Sequence, residues 1–123
     1  MASGSPIRLL LSSPLSFGPG KAELLEHLSR TGSLQAAAAA MDMSYMKAWR
    51  MVKGLNTMFS APLVTMQRGG KDQGGAELTA TGHEVLALYH EAVATAEAAL
   101  EPVLSRMNVL LAPHDPDSPG SSG

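Results

Sequence analysis

Residues Ser33 to Phe59 read SLQAAAAAMDMSYMKAWRMVKGLNTMF. The stretch divides at Asp42-Met43 into two helical runs, with Ser33 and Ser44 each standing where a helix N-cap belongs. The first run, Leu34 to about Met41, is short, and its alanines allow a neighbouring helix to approach closely. The second, Ser44 to Phe59, is two-faced. At 100° per residue, Tyr45, Ala48, Trp49, Val52, Leu55 and Phe59 share one face. Lys47, Arg50 and Gly54 lie opposite, with Ser44 and Met51 near the edge and Met46 and Lys53 flanking. So wide an apolar stripe has to be buried against a domain. The face left free is basic. A short helix, a tight turn and a longer helix of this kind form the pattern of a helix-turn-helix. A basic free face suits the major groove, where long cationic side chains reach phosphates and the acceptor edge of guanine. Lys and Arg at such spacing also occur on merely solvated helix faces, so the reading leans on what flanks the helix.

Downstream, Ser60-Ala61-Pro62 ends the helix and Leu63 to Gln67 alternates as a strand. Arg68-Gly69-Gly70-Lys71-Asp72-Gln73-Gly74-Gly75 follows, and Ala76 to Leu78 returns as a second strand. Two strands joined by a glycine-rich basic loop form the wing of a winged helix. Arg68 and Lys71 in that loop can meet phosphates or enter the minor groove. A nucleotide-binding loop would need a strand, the loop and a helix N-terminus in that order, with Gly-Lys-Ser/Thr closing it; neither feature is present.

Upstream, Phe17-Gly18-Pro19-Gly20 signals a turn. The spacing of Ala22, Leu24, Leu25 and Leu28 predicts a first helix over roughly Lys21 to Thr31, stopped by Gly32. Ile7 to Leu11 and Leu15 to Phe17 are candidate strands of a short hairpin turning at Ser12-Ser13-Pro14.

Beyond the wing, Thr79 or Thr81 caps a last helix, and Thr81 with Glu84 has capping-box spacing. Leu86, Tyr89, Val93, Ala96, Leu100, Val103 and Met107 then recur at steps of three and four. The seam is longer than a small domain needs, and two copies packing together would bury it, so a homodimer is expected. Pro102 falls inside it and should kink or restart the helix. The final PHDPDSPGSSG is a disordered tail by composition.

The chain thus divides into an arm over 1–19, a winged helix-turn-helix over 20–79, a dimerisation helix over 80–110 and a tail over 111–123. The expected fold class is mostly α with a small β wing. Composition agrees. Net charge is −2 over 123 residues, but its distribution matters more than its sum. Between Ser44 and Gly75 five cations face Asp72 alone, a balance of +4, whereas Glu77 to Glu101 holds five glutamates and no cation. There is no cysteine, hence no disulfide, thiolate metal site or cysteine nucleophile, which fits the cytoplasm. No run approaches the roughly 18 apolar residues of a membrane span, so no membrane partner is expected. Four histidines are present, and only His83 and His90 share a helix face, about 10 Å of rise apart. That is too far for one metal on one helix, so no metal, cofactor or catalytic set is read. The competing reading is a winged helix whose long acidic helix docks a protein partner, with no DNA role.

With these residues laid out, the chain resembles the N-terminal domain of the ModE family, molybdate-responsive bacterial regulators whose winged helix is close to that of LysR-type regulators. The matching pieces are Gly32-Ser33, Ser44-Tyr45-x-x-Ala48-Trp49, Pro62-Leu63-Val64, Gly69-Gly70-Lys71-x-x-Gly74-Gly75-Ala76 and Leu78-Thr79-x-x-Gly82, over about two-thirds of the chain. The resemblance implies a transcription factor that binds a palindromic operator in double-stranded DNA as a dimer, through the third helix and the wing, in control of molybdenum-related genes. Candidate DNA contacts are Ser33, Gln35, Ser44, Tyr45, Lys47, Arg50, Lys53, Arg68 and Lys71. Tyr45 and Trp49 are motif positions in the family. The wheel makes Trp49 core and Tyr45 core or edge, which puts the direct contacts on Lys47 and Arg50. In full-length family members, oxyanion-binding domains follow the long helix. This sequence ends about fifteen residues past the seam, so molybdate binding is not expected of this chain itself.

Overall fold

The structure, a computed structural model, describes residues 9–10, 16–67 and 75–113. In chain order they form β1 (Leu9–Leu10), β2 (Ser16–Phe17), α1 (Pro19–Thr31), α2 (Leu34–Ala40), α3 (Tyr45–Met58), β3 (Val64–Gln67), β4 (Gly75–Leu78) and α4 (Ala80–Val109). The chain divides into two compact units, residues 1–93 and 94–123. The expected turn at 12–14, the wing loop over 68–74 and the tail over 114–123 lie outside the described residues.

The ends of the helices follow from their capping residues. Helix α1 begins at Pro19, not at Lys21, because a proline already has the helical φ and needs no donor at the first position. It ends where Gly32 adopts φ 66° and its N–H bonds the Leu28 carbonyl at 2.8 Å. The Ser33 hydroxyl accepts from the Ala36 N–H and caps α2, and the Ser44 hydroxyl does the same for α3 from Lys47, each at 3.0 Å. Between α2 and α3, Asp42 takes a left-handed φ of 57°. An aspartate tolerates this better than most side-chain-bearing residues.

The core of the first unit gathers residues from every helix and both strand pairs. Leu24, Leu25 and Leu28 of α1, Ala37 and Ala38 of α2, Ala48, Val52 and Leu55 of α3, and Val64 and Ala76 of the wing are all buried. The alanine run is therefore used on one side only, since Ala36, Ala39 and Ala40 are exposed. Phe17 packs at a tilt against Tyr89 of α4, with ring centroids 5.2 Å apart, and meets Phe59 edge-on at 6.5 Å.

β3 and β4 pair antiparallel, with Val64 opposite Leu78 and Gln67 opposite Gly75. The base of this hairpin is tied to the α1–α2 junction, where Ser33 bridges Gly75 and the Ala76 N–H donates to the Gly32 carbonyl at 3.1 Å. The entry to α4 is fixed by Thr79. Its hydroxyl accepts from the Gly82 N–H at 3.0 Å and donates to the Pro62 carbonyl at 2.7 Å, while its own N–H bonds the Leu63 carbonyl at 2.9 Å. Thr79 is thus the cap, and the Thr81–Glu84 box does not form: α4 has already begun at Ala80.

Two expectations for α4 are corrected. The helix is continuous through Pro102 to Val109 and does not restart there. Proline removes one backbone donor, but Ala98, whose carbonyl loses that donor, is exposed and can be hydrated. The heptad seam also divides. Leu86, Tyr89 and Val93 are 9%, 6% and 3% exposed within the first unit's own core. They are the hydrophobic face by which α4 completes the domain. In the second unit, Leu100, Val103 and Met107 are exposed, as is Leu104; Ala96 is half-buried. No helix of the described residues is long and apolar enough to cross a membrane.

Candidate nucleic-acid interface

Helix α3 is held at both ends by polar bonds that leave one face free. At its start stands the Ser44 cap. Near its end Asn56 sends its side chain to β3: Nδ2 donates to the Val64 carbonyl at 2.9 Å, and Oδ1 accepts from the N–H groups of Leu63 at 2.8 Å and Val64 at 3.0 Å. One amide therefore fixes the wing against the helix. Asn56 had no place in the sequence reading, because an asparagine on a helix otherwise looks like an ordinary surface residue.

Ala48, Val52 and Leu55 are the fully buried positions of α3. The helix is thus turned by roughly 30° from the face expected, at 100° per residue. Trp49 is half-buried and Tyr45 is 40% exposed, so neither is core. Ala48, Val52 and Leu55 pack into the core, and the larger rings fall to the rim. The Lys53 ammonium lies over the Trp49 ring, 4.7 Å from its centroid, which covers the exposed side of the indole.

The free face then carries Met46, Lys47, Arg50, Lys53, Gly54 and Thr57. Among the described residues none of the three cations forms an ion pair, and the helix has no acidic residue. Three cations on one helix, none neutralised by a carboxylate among the described residues, make a field that favours an anionic partner. Arg50 and Thr57 lie at the middle of this face, Met46 close beside them, and Lys53 and Lys47 toward its opposite sides.

The other candidate contacts are distributed around it. Gln35 is exposed in the first turn of α2. Ser33 and Ser44 have hydroxyls committed as acceptors in their caps, which leaves each O–H as a donor. Arg68 and Lys71 lie outside the described residues. Elsewhere, His90 pairs with Glu26 at 2.8 Å and His27 with Glu23 at 3.7 Å; no group of three or more metal-binding side chains is found among the described residues.

Two helices joined by a tight turn, followed by a β-hairpin and a closing helix, define a winged helix-turn-helix domain. A family model described as the bacterial regulatory helix-turn-helix protein, lysR family, matches residues 20–83. The chain belongs to that family. Its helix-turn-helix segment is ModE-like. It is 43% identical over 72 residues to the molybdenum-pterin-binding protein MopB of Rhodobacter capsulatus, covering 58% of this chain and 27% of MopB. It is 34% identical over 83 residues to the DNA-binding transcriptional dual regulator ModE of Escherichia coli strain K12, covering 68% of this chain and 32% of that protein. The match therefore spans about a third of the length of these relatives. Among solved structures, a CbnR DBD–DNA complex superposes with a TM-score of 0.55 at 20% identity, over 72% of this chain and 95% of that one. At that identity the likeness is one of fold.

Proposed function

We propose that this chain is a non-enzymatic transcriptional regulator that binds double-stranded DNA by inserting α3 into the major groove. The observation that carries the reading is the free face of α3, where Lys47, Arg50 and Lys53 form no ion pair among the described residues and the helix has no carboxylate. Family membership and the DNA-bound fold neighbour support it. The N-terminal turns of such a helix reach base edges, while cations further along meet phosphates. The hairpin of β3 and β4 flanks the groove.

The chain acts as a homodimer on a palindromic operator, with half-sites about 34 Å apart or a multiple of that spacing. The exposed stripe of Leu100, Val103 and Met107 supports this, and the contact is confined to the part of α4 beyond Val93. Its targets are molybdenum-related genes; the names of MopB and ModE support that link. As a regulator of bacterial genes it works in the cytoplasm.

The test is a mobility shift of genomic fragments at low salt. Wild-type protein is expected to shift them, and Lys47→Ala and Arg50→Ala are each expected to weaken the shift with the fold unchanged. Equal affinity of both variants would refute the contact assignment. No shift of any fragment would refute the DNA reading.

A further inference from the structure

We propose that Met46 is a specificity residue, reading a thymine by packing its thioether on the 5-methyl group in the major groove. The inference rests on the DNA-binding reading of α3. Six methionines fall between residues 41 and 66. Met41, Met43, Met51, Met58 and Met66 pack against the core, and Met46 does not. It is 51% exposed, in the first turn of α3. At 100° per residue it shares one column with Arg50, Lys53 and Thr57, which puts it near the middle of the free face.

About half of this apolar side chain stays open to solvent, outside the core. The methionine stands among cations, with Lys47, Arg50 and Lys53 on the same exposed face. A duplex matches both features at once. Its phosphates suit Lys47, Arg50 and Lys53, and the thymine methyl is the apolar group that base pairs present in the major groove. Met46 stands in the turn that comes nearest the base edges. Its unbranched thioether adapts to a flat methyl surface without needing a fixed rotamer.

The test uses the full chain and a duplex enriched from a randomised library. Each thymine of the site is replaced in turn by deoxyuridine, which removes only the 5-methyl group. For the wild-type chain, at least one replacement is expected to lower affinity about three- to fivefold, as burying one methyl group would suggest. For Met46→Ala the same replacement is expected to have no effect, and Met46→Leu should restore part of the sensitivity. Met46→Gln, which keeps the side-chain length but not the apolar end, guards against a folding artefact; it too should lose the sensitivity. Wild-type and variant chains responding alike at every thymine would overturn the assignment while leaving the DNA reading intact. Failure of the wild-type chain to bind any duplex would overturn both.

Discussion

At Gly82 a Cβ would run into the carbonyl oxygen of Leu63, a backbone atom that cannot swing aside. Gly82→Ala is expected to destabilise the domain by about 1–3 kcal/mol, the usual cost of overpacking, measured by urea denaturation. Gly54 is the opposite case. It sits inside α3, and a Cβ there would meet open space. Gly54→Ala should therefore raise stability by about 0.5–1 kcal/mol, the helix-propensity difference, visible as a higher Tm. These two glycines show what the sequence could and could not tell. Leu78-Thr79-x-x-Gly82 was legible as a motif. Its cause was not, because it lies in bonds from Thr79 to Pro62 and Leu63 and in the closeness of Gly82 to Leu63. Those contacts join residues 16 to 19 positions apart, and no local periodicity records them. Asn56 escaped notice because an asparagine on a helix looks like a surface residue until its bonds to Leu63 and Val64 are seen.

Among the elements, the order of helices and wing strands was readable because each is marked locally. Ser33 and Ser44 cap, Gly32 stops, and the glycines of the wing loop separate two alternating runs. The rotation of α3 was harder. A wheel weights Trp49 and Tyr45 as apolar and draws the stripe toward them, whereas the buried positions are Ala48, Val52 and Leu55. The correction moves Met46 toward the middle of the free face. For the element as a whole, Lys47→Ala and Arg50→Ala should each reduce the slope of log affinity against log salt by about 0.9 for each phosphate no longer neutralised. Neither should lower the Tm, because both side chains are exposed and make no ion pair among the described residues.

For the whole molecule, the divided seam separates folding from assembly. Leu86→Ala should cost the fold about 2–5 kcal/mol, as for a buried leucine, seen as a lower denaturation midpoint. Leu100→Glu or Met107→Glu should leave the first unit folded and shift the sedimentation coefficient toward that of a monomer. Dimers that persist in both variants would place the interface elsewhere. The sequence showed one continuous heptad, because a repeat of three and four does not tell which partner covers it.

The most direct measurement is selection of randomised duplexes by the purified chain, with and without molybdate, followed by sequencing. The expected result is one two-fold-symmetric site, enriched equally in both conditions. Absence of any enriched site would contradict the account and favour a winged helix that binds protein instead.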